Sequence, residues 1–162
     1  MTVTLCNGHP CMLSRSDADD PRSAEIVEEK TYIVVVQCHI VMERCSGYFC
    51  EKAFHDRTGG FAGYPIEGEY RTLYLTCGGC CGRAVHRKLG NLVRQIKKRE
   101  GVEKDAVVVH LSSCITRDNY HGPRCPHLDY LKDIIGRLGL VIREDTAISA
   151  KAEARRKDGI YR

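Results

Sequence analysis

Arg71-Thr72-Leu73-Tyr74-Leu75-Thr76-Cys77-Gly78-Gly79-Cys80-Cys81-Gly82-Arg83 is the stretch that decides the fold. Arg71 to Thr76 reads as a β-strand that ends at Cys77. From Gly82 to Glu100 the pattern changes to that of a helix, with Val85, Leu89, Leu92, Val93 and Ile96 on one face. Arg87, Lys88, Arg94, Lys97, Lys98 and Arg99 occupy the outer face, and Gly101 stops the helix. A strand that passes through a glycine turn into an amphipathic helix is part of a βαβ unit.

The same alternation extends in both directions. Tyr32 to Gln37 is a continuous apolar strand, rich in β-branched residues, ending at Cys38. Tyr48 to His55 predicts a short helix with Phe49, Ala53 and Phe54 inward, followed by a flexible loop at Gly59 to Gly63. Ala106 to Leu111 is a third strand, ending near Cys114. Pro126 to Leu138 predicts a helix with Pro in its first turn and an apolar stripe of Leu128, Leu131, Ile134, Ile135 and Leu138. Leu140 to Ile142 is a fourth strand. Fully apolar strands alternating with amphipathic helices imply a parallel sheet covered on both faces. The expected fold is a small three-layer α/β sandwich with a mainly parallel sheet, flavodoxin-like or Rossmann-like. No G-x-G-x-x-G follows a strand, so a dinucleotide site lacks support.

At 162 residues the chain suits one domain that buries its core without disulfide staples. Three regions are expected: an N-terminal extension (1–30), an α/β domain (31–143) and a basic C-terminal tail (144–162), whose residues from Lys151 to Arg162 read as a surface helix. The extension carries six acids against three bases, yet contains Cys6-x-x-His9-x-Cys11. No apolar run approaches the roughly 20 residues needed to span a bilayer. The start lacks the basic and apolar regions of a secretory leader, so a cytoplasmic protein without membrane association is expected. A net charge of +4 and 7% aromatics without Trp argue against nucleic acid.

Ten cysteines is high usage, and in a reducing compartment it points to metal ligation or thiol chemistry. Their positions carry the argument. Cys38, Cys77 and Cys114 each fall at the carboxyl end of an expected parallel strand, where α/β sheets bind ligands. Cys45 and Cys50 lie in the connection after the first strand, Cys80 in the turn after Cys77, and Cys125 at the start of a helix, near His127. In Cys77-Gly78-Gly79-Cys80 two intervening residues let both sulfurs face one ion. The glycines admit positive φ, and the following helix N-terminus favours thiolates. The candidate metal ligands are therefore Cys38, Cys45, Cys50, Cys77, Cys80, Cys114, Cys125 and His127, with His127 also a candidate to orient the site. His39 reads as a loop residue and His110 as a satisfied core histidine.

Several motifs together resemble a known family. They are Val36-Gln37-Cys38, Cys45, Cys50, Thr76-Cys77-Gly78-Gly79-Cys80, Ser112-Ser113-Cys114-Ile115-Thr116 and Gly122-Pro123-Arg124-Cys125-Pro126-His127. The chain from 32 to 138 resembles the cysteine-rich prokaryotic family named for its CGGC motif, and the resemblance implies metal binding. Cys81 stands where that pattern often has Pro, and Cys6, His9 and Cys11 lie outside it.

The expected function is a metal-binding protein holding an iron–sulfur cluster or zinc. Its role would be that of a carrier, assembly or redox protein serving a metalloprotein client or redox partner. A surplus over the four ligands of a structural zinc favours a cluster, a two-metal site or transfer. Whether the protein is an enzyme stays open. The enzyme alternatives are a thiol–disulfide oxidoreductase using Cys77 and Cys80, and a phosphatase or arsenate reductase in which Cys77 and Arg83 form Cys-x5-Arg. A Lewis-acid iron in sulfur chemistry is a third.

Overall fold

The computed structural model describes residues 5–6, 9–10, 31–79, 82–117 and 123–159. Four parallel strands form its sheet: β3 (Thr31–Gln37), β4 (Tyr70–Thr76), β5 (Val107–Leu111) and β6 (Val141–Glu144). Their order across the sheet is β4-β3-β5-β6, every pair parallel. β3 is central and buried along its whole length, as an unbroken apolar run requires. Near the N-terminus, β1 (Leu5–Cys6) and β2 (His9–Pro10) form a separate two-stranded antiparallel pair.

Side-chain alternation along the strands divides the core in two. Tyr32, Val34, Val36, Val107, Val109 and Leu111 face helices α3 (Arg83–Glu100) and α5 (Leu128–Gly136). Those helices contribute Val85, Leu89, Ile96, Leu128, Leu131, Ile134 and Ile135. Each such side chain stabilises the fold by roughly 1.5–3 kcal/mol when fully buried. Ile33 and Val35 face the opposite layer, built from α2 (Tyr48–His55) and the aromatic loop beyond it through Ala53, Phe61 and Tyr64. The β3-to-β4 connection crosses this second face, while α3 and α5 carry the chain back over the first. The strand order therefore reverses between β3 and β5.

Several boundaries differ from the sequence expectation. α5 begins at Leu128 rather than Pro126, because Pro126 and His127 sit in a turn closed by the Leu128 N–H donating to the Cys125 carbonyl at 3.2 Å. The fourth strand starts at Val141. Phe49 does not point inward; it is 64% exposed, and its ring meets Tyr48 edge-to-face. β4 is an edge strand and exposes Arg71, Thr72 and Tyr74, so it is not covered on both faces. The tail forms α6 (Ala150–Lys157), shorter than the expected helix. Among the described residues no helix is long and apolar enough to cross a membrane.

Candidate functional site

The carboxyl ends of β3, β4 and β5 form one rim, and each delivers a cysteine to it. Cys38 follows β3 as the residue before helix α1 (His39–Met42). Cys77 follows β4, with its N–H donating to the Gln37 carbonyl at 2.8 Å. Cys114 lies in the short helix α4 (Ser113–Thr116) after β5. The Ser112 N–H donates to the Val36 carbonyl at 3.0 Å, which continues the sheet pairing to the last residue before that turn. The crevice between the ends of β3 and β5, where strand order reverses, is thus flanked by Cys38 and Cys114.

Backbone amides point at these sulfurs. The Cys38 N–H donates to Cys114 Sγ at 3.3 Å, and the His39 N–H donates to Cys77 Sγ at 3.3 Å. The neighbouring Cys38 thiol is the largest cause lowering the Cys77 thiol, to about 5, reinforced by the His39 and Gly79 amides against the opposing effect of burial. Cys38 is pushed up in turn, first because its proton is held by Cys77 and then by burial. These contacts favour the thiolate form of Cys77.

The turn after Cys77 makes this geometry available. Gly78 and Gly79 adopt φ of +86° and +70°, a region costly for L-residues with a Cβ. A Cβ on Gly78 would stand 2.4 Å from that of Ala84. Lys88 leaves the outer face of α3, where the sequence pattern put it, and its Nζ donates to the Thr76 carbonyl at 2.6 Å. A cation is thereby held one residue from Cys77.

A second group of thiols lies beside the first. The Gly47 N–H donates to Cys45 Sγ at 3.5 Å, and Cys50 Sγ stands 3.2 Å from Thr146 Oγ1. Burial raises Cys50 against hydrogen bonds from Thr146 and Gln37, with the Cys45 charge adding to the rise. Burial also raises Cys114, opposed by Ser112 Oγ at 3.2 Å and the Cys38 amide; Cys50 and Cys45 add smaller charge effects. Cys38, Cys45, Cys50, Cys77 and Cys114 consequently form one electrostatically connected set.

Cys125 is half-buried against the same apolar cluster as Cys45 and Cys114, and its N–H donates to the carbonyl of Ile115, the residue after Cys114, at 3.0 Å. His127 is exposed at the N-cap of α5 and makes no side-chain capping bond. Cys80, Cys81 and Cys11 lie outside the described residues. Cys6 and His9 are register partners in the N-terminal pair. Among the described residues no group of three or more Cys, His, Asp or Glu side chains is arranged to hold a metal ion. Sequence reasoning missed Ser112, Thr146 and Gln37 as partners of the thiols, and the His39 amide as a donor. Ser112 was signalled only by its place two residues before Cys114, and the other three contacts arise from the fold.

A parallel α/β domain whose strand ends present amide-stabilised thiols defines a cysteine-rich rim protein. Residues 32–144 match the model of the CGGC domain, and the chain belongs to that family. No curated protein and no solved structure matches the chain.

Proposed function

We propose that the rim holds a thiolate-bound metal centre, with Cys77 its primary ligand and Cys38, Cys114 and Cys80 completing the inner set. The observation that carries this reading is the placement of Cys38, Cys77 and Cys114 at three neighbouring strand ends, with backbone amides on the Cys77 and Cys114 sulfurs. Thiolate donors suit zinc and iron–sulfur clusters over hard cations. Cys45 and Cys50 lie close enough for their charges to act on Cys114, which extends the donor set along the rim. Ligands dispersed over three strand ends favour a cluster over one ion. Amides directed at sulfur are the contacts that tune such a centre. The protein then acts as a carrier, assembly or redox component for a metalloprotein client.

Metal, iron and acid-labile sulfide per chain, measured on protein purified without oxygen, test this reading. Cys77→Ser and Cys38→Ser are expected to lower the metal content sharply. Full loading in the Cys77→Ser, Cys80→Ser double variant contradicts it.

The adjacency of Cys38 and Cys77 at the ends of two paired strands favours one other reading, a thiol–disulfide exchange protein. The Cys77 sulfur would attack a partner disulfide and release one partner thiolate. The Cys38 sulfur would then form the Cys38–Cys77 disulfide and release the second partner thiol. Metal-free protein that reduces disulfides, and loses this activity in Cys38→Ser, would select this reading.

A further inference from the structure

Helices α3 and α5 run in the same direction on one face of the sheet. A Cβ on Gly82 would meet Leu131, and one on Gly90 would meet Leu138, which fixes their parallel register. Along their outer seam lies a groove of about 490 Å³ lined by Arg83, His86, Arg87, Tyr130, Ile134 and Arg137. No carboxylate lines it among the described residues. Arg137 lies 2.7 Å from Asp133 in an exposed ion pair. Ile134 is 5% exposed and forms an apolar floor, while Tyr130 is 39% exposed and forms part of the wall.

We propose that this groove docks an acidic, partly apolar segment of a partner protein. Charge complementarity selects an anionic occupant. The cations are spread along two helices instead of being gathered around one point, and an apolar strip lies between them. From Tyr130 to Arg137 the groove runs about 10 Å at about 1.5 Å rise per residue. That length accepts about three residues of extended chain at about 3.3 Å each. Such a segment places carboxylates on the arginines and an apolar side chain over Ile134. Arg83 opens the helix that leaves the Cys77 turn, so a docked segment lies beside the thiol rim.

The test is fluorescence anisotropy with the full, reduced chain and a short fluorescein-labelled peptide of alternating glutamate and leucine. Saturable binding is expected, weakened about tenfold by Arg87→Glu and less by Arg87→Gln, and weakened further by added salt. Arg99→Glu changes the net charge equally on another face of α3 and is expected to leave binding intact. Cys77→Ser is expected to bind as the wild type does, so this proposal and the metal reading fail separately. Absence of saturable binding overturns the proposal. So does an equal loss in Arg99→Glu, or displacement of the peptide by a lower concentration of a single-stranded oligonucleotide.

Discussion

At Cys77, burial alone would hold the thiol protonated; the Cys38 thiol and the amides of His39 and Gly79 outweigh it. In reduced, metal-free protein the alkylation rate of Cys77 is expected to follow an ionisation near pH 5. Cys38→Ala is expected to raise that midpoint by roughly one unit or more, because it removes the largest stabilising contact. An unchanged midpoint in the variant would show that Cys38 does not set it. His110 illustrates the opposite balance. It is fully buried; Tyr64 Oη donates to its Nε2 at 2.9 Å, and its Nδ1–H donates to the Asp145 carbonyl at 3.1 Å. Burial, ahead of all other causes, lowers its pKa from 6.5 to about 4. The unfolded chain therefore binds more protons between those values, and stability falls as pH drops from about 6.5 to about 4. The expected loss is about 3 kcal/mol, read from denaturant melts at pH 7 and pH 4. His110→Gln is expected to remove that component of the pH slope. The cysteines at strand ends and the core role of His110 were legible because apolar runs show where strands lie and which face each residue takes. The amide donors were not, since their direction depends on turns whose φ values leave no mark beyond the glycines.

Among the elements, the turn into α3 is closely constrained. Gly82 is buried at φ +73°, and an added Cβ would stand 2.3 Å from Leu131 Cδ2. Gly82→Ala is expected to cost about 2–4 kcal/mol, from left-handed strain together with overpacking. Leu131→Ala is expected to cost about 2–5 kcal/mol through the cavity it leaves. Combined, the two should cost less than their sum, because the truncated leucine makes room for the new methyl group. Additive costs in urea melts would contradict the contact. The strands were legible from their short apolar runs, and α3 and α5 from apolar residues recurring about every 3.6 positions. Helix starts were less so: Pro126 looks like a first-turn residue, yet its hydrogen-bonded turn delays α5 to Leu128. Phe49 has the spacing of a core residue but lies in the first turn of α2 with Tyr48, where both rings remain exposed.

For the molecule as a whole, a parallel sheet gathers distant cysteines at one rim because all its strands end on the same side. That gathering was legible in the sequence once the strands were recognised as parallel. The course of Lys88 was not, since helical periodicity assigns it to the outer face while its long side chain reaches back to Thr76. The central claim is that thiolates of the rim bind a metal centre through Cys77. X-ray absorption fine structure on protein purified without oxygen tests it most directly. Sulfur scatterers are expected at about 2.3 Å from the metal, with fewer sulfurs or no bound metal in Cys77→Ser. Metal bound by nitrogen and oxygen alone, or the same sulfur shell in Cys77→Ser, would contradict it.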